Sequence, residues 1–462
     1  MKKLRKISLL FVFLFVISIL SACGNSQQDT SNNASTSNES PSEASNEEEN
    51  STTETESNES AAGAGTKITF VSGKPEIQTL LEDTFKLFKD ETGIEVELVA
   101  GQANQSPYQT VTVMYNAGNA PSCFMVEQGD ILKLKDNLVD LSDQKFTEDA
   151  LEAALAAATE DGKLYAAPFI TESVGLIYNK KVIENAIGEP FDPNTIKTID
   201  DLEALFEKIE ASGVSAVAVS PENWSLGAHF MMYMYANQYP NSEKNKEFVE
   251  SLKDGTADLV NNEVYNGWLD TFDLLKKYNI NKNDPLAANN DKNAALITEG
   301  QVAFWFMGNF IWPVMQELDA NPEDFGLMPI PVSNDPSDEN NTQLLTLFSM
   351  YLCVDKEQNT PEQQEASKKL IEWFLYSDTG QNEMVNKLSM VPAYKHFTIE
   401  TKEPLSASLI NYIKADQTLN FNILYPSDHW QVLGGSMQKY LADEADRAVL
   451  AEEIESYWQN VE

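Results

Sequence analysis

Arginine is almost absent from this sequence: Arg5 and Arg447 are the only two among 462 residues. A pocket for a carboxylate, phosphate or sulfate draws on the bidentate guanidinium fork, which lysine replaces poorly. The scarcity points to a neutral ligand, if the protein takes one. Positive charge of any kind is short, with 32 Lys and Arg against 72 Asp and Glu and a net charge of −40. Such a surface repels phosphate backbones, and no basic patch interrupts it, so no nucleic acid is expected as a partner. Electrostatic docking on an anionic membrane is disfavoured on the same ground. The three histidines, His229, His396 and His429, are far apart and adjoin no acid–base motif. Gly-x-Ser-x-Gly, His-Glu-x-x-His, the phosphate-binding loop and the dinucleotide fingerprint are all missing. The three cysteines have no partner histidines at zinc spacing, so neither a cofactor nor a metal is assigned.

What is present begins with a basic stretch, Lys2, Lys3, Arg5 and Lys6, followed by an apolar run from Ile7 to Leu20. That run is shorter than the roughly 20 residues a membrane span needs, and small residues follow it, as in a secretory signal over residues 1–22. Residues 24–65 hold no aromatic residue, no Ile, Leu, Val or Met and no basic residue, but do hold Asp29 and eight Glu. A segment so poor in apolar surface cannot offset its ordering entropy, so it is expected to be a disordered tether. As a flexible coil it would span roughly 35 Å. From Thr66 onward 28 basic and 63 acidic residues remain, a net charge of −35.

That remainder reads as alternating strand and helix. Lys67–Ser72 alternates as a strand, Ile77–Glu91 has helical spacing, and Ile94–Val99 is a second strand, a β-α-β opening that favours parallel pairing. A helix over Tyr108–Ala117 and a buried strand over Ser122–Val126 follow. Leu164–Ile170 and Val174–Tyr178 read as two strands separated by the polar break Thr171-Glu172-Ser173. Helices are expected over Ile199–Ala211, Phe230–Ala236, Trp268–Tyr278, Glu362–Ser377, Ser436–Ala442 and Ala448–Gln459. Strands are expected over Val214–Val219, Ala303–Phe306, Phe325–Met328 and Phe348–Val354. The fold class is therefore α/β, in two lobes. Trp268, Trp305, Trp373 and Trp458 lie within apolar faces and are assigned to the core. Cys123 and Cys353 sit in apolar runs and read as buried small hydrophobes; their pairing stays open, as does a metal ion in the loop 281–291.

Four segments, taken in order, carry a family likeness. Tyr165-Ala-Ala-Pro-Phe-Ile-Thr-Glu-Ser-Val-Gly-Leu-Ile-Tyr-Asn-Lys180 resembles the first crossing between lobes in the extracellular solute-binding proteins of ABC importers. The segment resembles in particular the sugar-binding family that includes maltodextrin-binding protein. Thr198-Ile-Asp-Asp-Leu-Glu203 is similar to that family's "T-W-D-E-L" helix start, with Ile199 in place of Trp. The segment from Thr298 to Trp312 is similar to its "G-x-A-A-M-x-x-x-G-x-W" signature, with Phe310 where Trp is common. Phe325–Pro331 resembles the return crossing. Leu20-Ser-Ala-Cys23-Gly resembles the bacterial lipobox, which implies that Cys23 is acylated and becomes the first mature residue.

The resemblance implies a two-lobe periplasmic-binding-protein-like fold, joined by crossover hinge segments, with the ligand in the cleft. It implies lobe 1 over 66–170 with a return over 331–395. Lobe 2 would take 171–330, and the C-terminal helices of 396–462 would lie mainly on it. It implies aromatic faces for the apolar side of a sugar ring and polar groups for its hydroxyls. The positions that match are Phe70, Ser72 and Lys74 after the first strand, Glu127 and Gln128 after the third, and Glu172 in the crossing. Trp224 precedes a helix, Asn309, Phe310 and Trp312 lie in the signature, Tyr394 is in a loop, and His429-Trp430 looks like a cleft loop. The implied protein is a monomeric, lipid-anchored component on the outer face of the cell membrane, passing a neutral saccharide to permease subunits. Two alternatives remain at this stage: a surface glycoside hydrolase using Glu127 and Glu172, and a sensor of a sugar or polyamine.

Overall fold

A computed structural model describes residues 65–101, 105–239, 242–421 and 425–461. Cys23 and the expected signal and tether lie outside them. The alternating segments at the start become Lys67–Val71 (β1) and Glu95–Val99 (β2), paired in parallel with Lys67 opposite Glu95 and Val71 opposite Val99. The intervening helix Gln78–Thr92 buries Leu81, Thr84, Phe85 and Phe88. Gly93 stops it with φ of 73°, a left-handed conformation that glycine takes without a Cβ clash. The helix Pro107–Asn116 starts at Ser106, whose side chain accepts from the Gln109 N–H. It leads into Cys123–Val126 (β3), parallel to β1. Thr159–Glu160 (β4) and Lys163–Leu164 (β5) form a small hairpin.

Ala167–Asn179 (β6) is a single strand of 13 residues. Ser215–Ala218 (β7), Val302–Gly308 (β8), Phe325–Met328 (β9) and Leu344–Val354 (β10) follow, then the short Val391–Pro392 (β11) and Thr418–Asn420 (β12). The main sheet runs β2-β1-β3-β10-β6-β8-β7, with β9 and β11 also on β6 and β12 on β10. The expected break at Thr171-Glu172-Ser173 is corrected: these residues stay in the ladder, opposite Phe348, Leu347 and Thr346 of β10. Their polarity serves side-chain partners and not a turn. Lys74 compensates the Glu172 charge, and the Asn309 side chain accepts the Ser173 N–H at 2.9 Å.

The strands β6 and β10 thread two large cores and, through Ile177 and Leu344, join a third around Trp305 and Trp312. Phe169, Ile170 and Tyr351 pack with Phe70, Phe85, Phe124 and Phe374 around β1 and β3. Val174, Leu176 and Leu345 pack with Phe206, Phe230, Trp268 and Phe304 at the other end. Each large side chain taken out of water there contributes about 1.5–3 kcal/mol. Trp268, Trp305, Trp373 and Trp458 are all core, and each indole N–H finds an acceptor: Phe230 O, Ser220 Oγ, Glu91 Oε2 and Tyr235 OH. A second correction concerns the C-terminal region. His429 and Trp430 do not form a loop but open the helix His429–Leu441, two turns earlier than the pattern from Ser436 implied. No helix among the described residues is long and apolar enough to cross a membrane.

Candidate functional site

Where β6 and β10 pass between the two cores, the structure encloses a cavity of about 540 Å³. This lies within the usual range of small-molecule sites. One wall comes from the ends of β1 and β3: Lys74, Glu76, Glu127, Gln128 and Asp130. The floor comes from the crossing strands, with Glu172 from β6 and Leu347 to Met350 from β10. The β6–β10 register shifts between Phe348 and Met350, leaving Ser349 in a bulge at the lining. Bulges of this kind re-aim side chains beside binding sites.

The opposite wall is aromatic. Trp224 leads into a π-helical turn, Ser225–Phe230, which continues as the helix Met231–Ala236. The turn places His229 beside Trp224, ring centroids 5.2 Å apart, and Phe310 closes the group at 6.1 Å from Trp224 and 5.5 Å from His229. Trp430 and Tyr425 complete this side. Two glycines allow its close packing. A Cβ on Gly227 would lie 2.5 Å from the Trp430 carbonyl oxygen, and one on Gly434 would lie 2.4 Å from that of Asn223. At the rim the Gln109 amide donates to the Gln431 side-chain oxygen at 3.3 Å, joining the two sides.

The electrostatics are unequal. Glu76, Glu127, Asp130, Glu172, Glu222 and Asp291 line the cavity, against Lys74 as the one Lys or Arg among the described lining residues. Lys74 ion-pairs with Glu172, lies 3.5 Å from Glu76 and sits 4.6 Å over the Phe310 ring. Burial alone would lower its pKa, but the Glu172 and Glu76 carboxylates outweigh that and raise it. Burial pushes the Glu127 carboxyl up to about 7, with Asp130 adding to the effect. Burial, helped by Lys74, drives His229 down to about 3, so its imidazole is neutral. Several lining residues carry buried polar atoms with no protein partner: Glu222 Oε2, His229 Nδ1, Asn290 Oδ1, Ser349 Oγ, Tyr425 OH and Trp430 Nε1. Buried polar atoms are normally paired. Mixed donors and acceptors beside aromatic rings suit a compact molecule with many hydroxyls. Among the described residues no group of three or more His, Cys, Asp or Glu is placed to hold a metal ion.

Of the positions expected from the sequence, Lys74, Glu127, Gln128, Glu172, Trp224, Phe310 and Trp430 meet at this cavity. The other six lie behind it. Phe70 is core, edge-on to Phe85 at 5.1 Å. Ser72 accepts the Lys74 backbone N–H at 3.0 Å, holding the loop that carries Lys74. Asn309 pins β6 through Ser173 and donates to Ser406 Oγ at 3.0 Å. Trp312 is buried against Phe325. The Tyr394 hydroxyl donates to the Pro168 carbonyl in the first core. His429 is fully buried under Tyr425. Glu222, His229, Asn290, Ser349 and Tyr425 escaped the sequence reading. Ser349 comes from a bulge in β10 and the others from separate loops, turns and helix starts that share no spacing, although Glu222 and His229 flank Trp224 and Tyr425 lies four residues before His429.

Comparison with known proteins bears on the family and the fold. The family described as bacterial extracellular solute-binding protein matches residues 83–404. An ABC transporter extracellular-binding protein of Pyrococcus horikoshii is 25% identical over 246 residues, covering 52% of this chain and 53% of the relative. A maltooligosaccharide ABC transporter solute-binding lipoprotein of Streptococcus pneumoniae is 29% identical over 132 residues, 28% of each chain. The chain thus spans about half the length of the first relative and less of the second. Among solved structures, the solute-binding protein RafE in complex with raffinose superposes with a TM-score of 0.70 at 16% identity, over 85% of this chain and 99% of that one. That likeness is one of fold: two α/β lobes with the cleft between them.

Proposed function

Because the chain belongs to the bacterial extracellular solute-binding protein family, we propose that it captures a neutral mono- or oligosaccharide outside the membrane and delivers it to the permease of an ABC importer. The observation that carries the reading is the cavity on β6 and β10, where Trp224, Phe310 and Trp430 face a wall of carboxylates and amides. Aromatic faces cover the C–H side of a sugar ring, while carboxylates and amides take its hydroxyls. The relatives named for maltooligosaccharide, and the fold shared with a raffinose-bound protein, support the same class of ligand. The family is one of binding proteins and not of enzymes, so the ligand leaves unchanged.

The reading extends to the parts outside the cavity. Cys23 carries the lipid, and residues 24–65 tether the folded part to the outer face of the membrane, where it works as a monomer. Lobe 1 takes 66–170 and 331–395, apart from the start of that return, where Val332 and Leu345 pack in the core of lobe 2, and lobe 2 takes 171–330 with most of 396–462. Closure about β6 and β10 is a hinge motion. Titration calorimetry of the mature protein against neutral mono- and oligosaccharides, with spermidine as a cationic competitor, tests the ligand. A saccharide is expected to bind with micromolar or tighter affinity. Binding of spermidine alone would overturn the saccharide assignment. Mass spectrometry of the membrane fraction, expected to find a diacylglyceryl group on Cys23, tests the anchor.

A further inference from the structure

We propose that Lys74 sets the charge preference of the cavity, by filling with its own ammonium a cation site built from Glu172, Glu76 and the face of Phe310. This rests on the cavity being the ligand site.

The argument starts from the surroundings of the ammonium. Lys74 and Glu172 retain 8% and 5% of their side-chain exposure, and Glu76 retains 16%. Two carboxylates and an aromatic face, with Nζ 4.6 Å above the Phe310 ring, are the parts from which a receptor for an organic ammonium is made. Here the occupant is part of the chain. Its position is fixed at the base as well: Ser72 Oγ holds the Lys74 N–H, and the Lys74 carbonyl accepts the Ile77 N–H.

Two consequences follow. A ligand amine finds this position taken and meets a like charge, although the wall is otherwise acidic. A neutral polyol meets ammonium N–H donors already oriented by Glu172 and Glu76. Removing the Lys74 charge leaves Glu172 and Glu76 buried without a counter-ion, a costly state that an incoming cation relieves.

The test compares wild type with Lys74→Ala, Lys74→Met and Lys74→Arg, using spermidine and n-propylammonium as probes beside a neutral oligosaccharide. Lys74→Ala is expected to bind n-propylammonium, and Lys74→Met to bind spermidine, at least about tenfold more tightly than wild type does. Lys74→Arg should behave as wild type. Adding Glu172→Gln to Lys74→Met should abolish most of the gain. Lys74→Met keeps the apolar stem, so it carries the test if the Ala variant does not fold. The proposal is overturned if wild type binds the amines as well as the charge-removed variants do, or if the gain survives Glu172→Gln. The amine arm needs no saccharide: amine gain in a protein that binds no sugar would sink the saccharide reading and leave this one standing. Sugar binding by wild type without amine gain in the variants would do the reverse.

Discussion

The imidazole of His429 lies flat on the phenol ring of Tyr425, with planes 5° apart and centroids 3.9 Å apart. A short polar chain fixes it there. The Trp458 indole N–H donates to the Tyr235 oxygen at 2.8 Å, and the Tyr235 hydroxyl shares a hydrogen bond of 3.0 Å with His429 Nε2. Burial holds the pKa of His429 near 3, and the ring stays neutral. The pair thus links the C-terminal helix Arg447–Gln459, which carries Trp458, to a wall of the cavity.

The His429→Phe variant should be destabilised at pH 7.5 by about 1–3 kcal/mol, because the buried Tyr235 hydroxyl loses its hydrogen bond to the ring. The gap should shrink on acidification. Unfolded His429 takes up a proton below pH 6.5 while the folded ring does not, so wild type loses stability as pH falls from 6.5 toward 3. At pH 5 this loss reaches about 2 kcal/mol for wild type alone. Urea unfolding of both proteins at pH 7.5 and pH 5 measures it; an unchanged gap would refute a neutral His429.

Glu127 predicts the opposite slope. Its folded pKa of about 7 lies above the 4.5 of a free carboxyl. The folded state keeps the proton longer, so wild type loses stability as pH rises from about 4.5 through 7. Glu127→Gln removes that loss. The variant should gain about 2 kcal/mol on wild type between pH 5 and pH 8, with nearly all the change complete just above pH 7. Paired thermal melts across that range check both sign and window.

These residues show what could be read in advance. The β-α-β opening was legible because each strand alternates and Thr92-Gly93 marks the end of the helix between them. Trp224 and Phe310 were legible through segment order. The stretch Thr171-Glu172-Ser173 was misread because polarity in a strand resembles a turn until its partners, Lys74 and Asn309, are known from 98 and 136 residues away. Glu222, Asn290 and Ser349 stayed hidden because only the fold brings them to one cavity. Phe70 and Tyr394 carry the residue types of a sugar site, yet they point into a core, and residue type alone does not distinguish the two sides of a strand end.

Trp224 tests the aromatic wall. It is only half-buried and lies edge-on to Phe310 and His229, so truncation removes ring surface from the cavity more than from a core. Trp224→Ala should weaken saccharide binding about 10- to 100-fold, equivalent to about 1.5–3 kcal/mol. Its Tm should fall by only a few degrees. Calorimetry at one temperature, alongside a melt, separates the two effects; a large Tm loss with unchanged affinity would place Trp224 in the core instead.

Gly227 and Gly434 test the helix contact that seats Trp430. An added Cβ at Gly227 would sit 2.4 Å from the Gly434 nitrogen, and one at Gly434 would sit 2.4 Å from the Asn223 oxygen. Backbone cannot yield as a flexible side chain can, so either Ala substitution should cost about 1–3 kcal/mol. Both should also weaken saccharide binding by displacing Trp430. Gly435 is the control, since nothing lies within 4 Å of its Cβ position. Gly435→Ala, inside the same helix, should be neutral or stabilising by about 0.5–1 kcal/mol. Melts of the three variants decide.

The two cysteines of the folded part give the last prediction. Cys353 lies opposite Phe124, and Cys123 lies opposite Val354, in the antiparallel β3–β10 ladder. Directly opposed residues share a face and neighbours along a strand alternate, so the two thiols project from opposite faces of the sheet. A disulfide, with its Cβ atoms about 3.8 Å apart, cannot form across that arrangement. Both thiols are fully buried; burial pushes Cys123 up to about 12 and Cys353 well above its usual value, so neither is a thiolate at neutral pH. Iodoacetamide should therefore leave both unmodified in the native protein and alkylate both in urea. Dithiothreitol should shift Tm by less than about 1 °C, whereas loss of a structural disulfide would cost about 2–5 kcal/mol and move it much further. This burial shields both thiols from oxidants, and rapid native labelling of either one would contradict their placement inside the β3–β10 ladder.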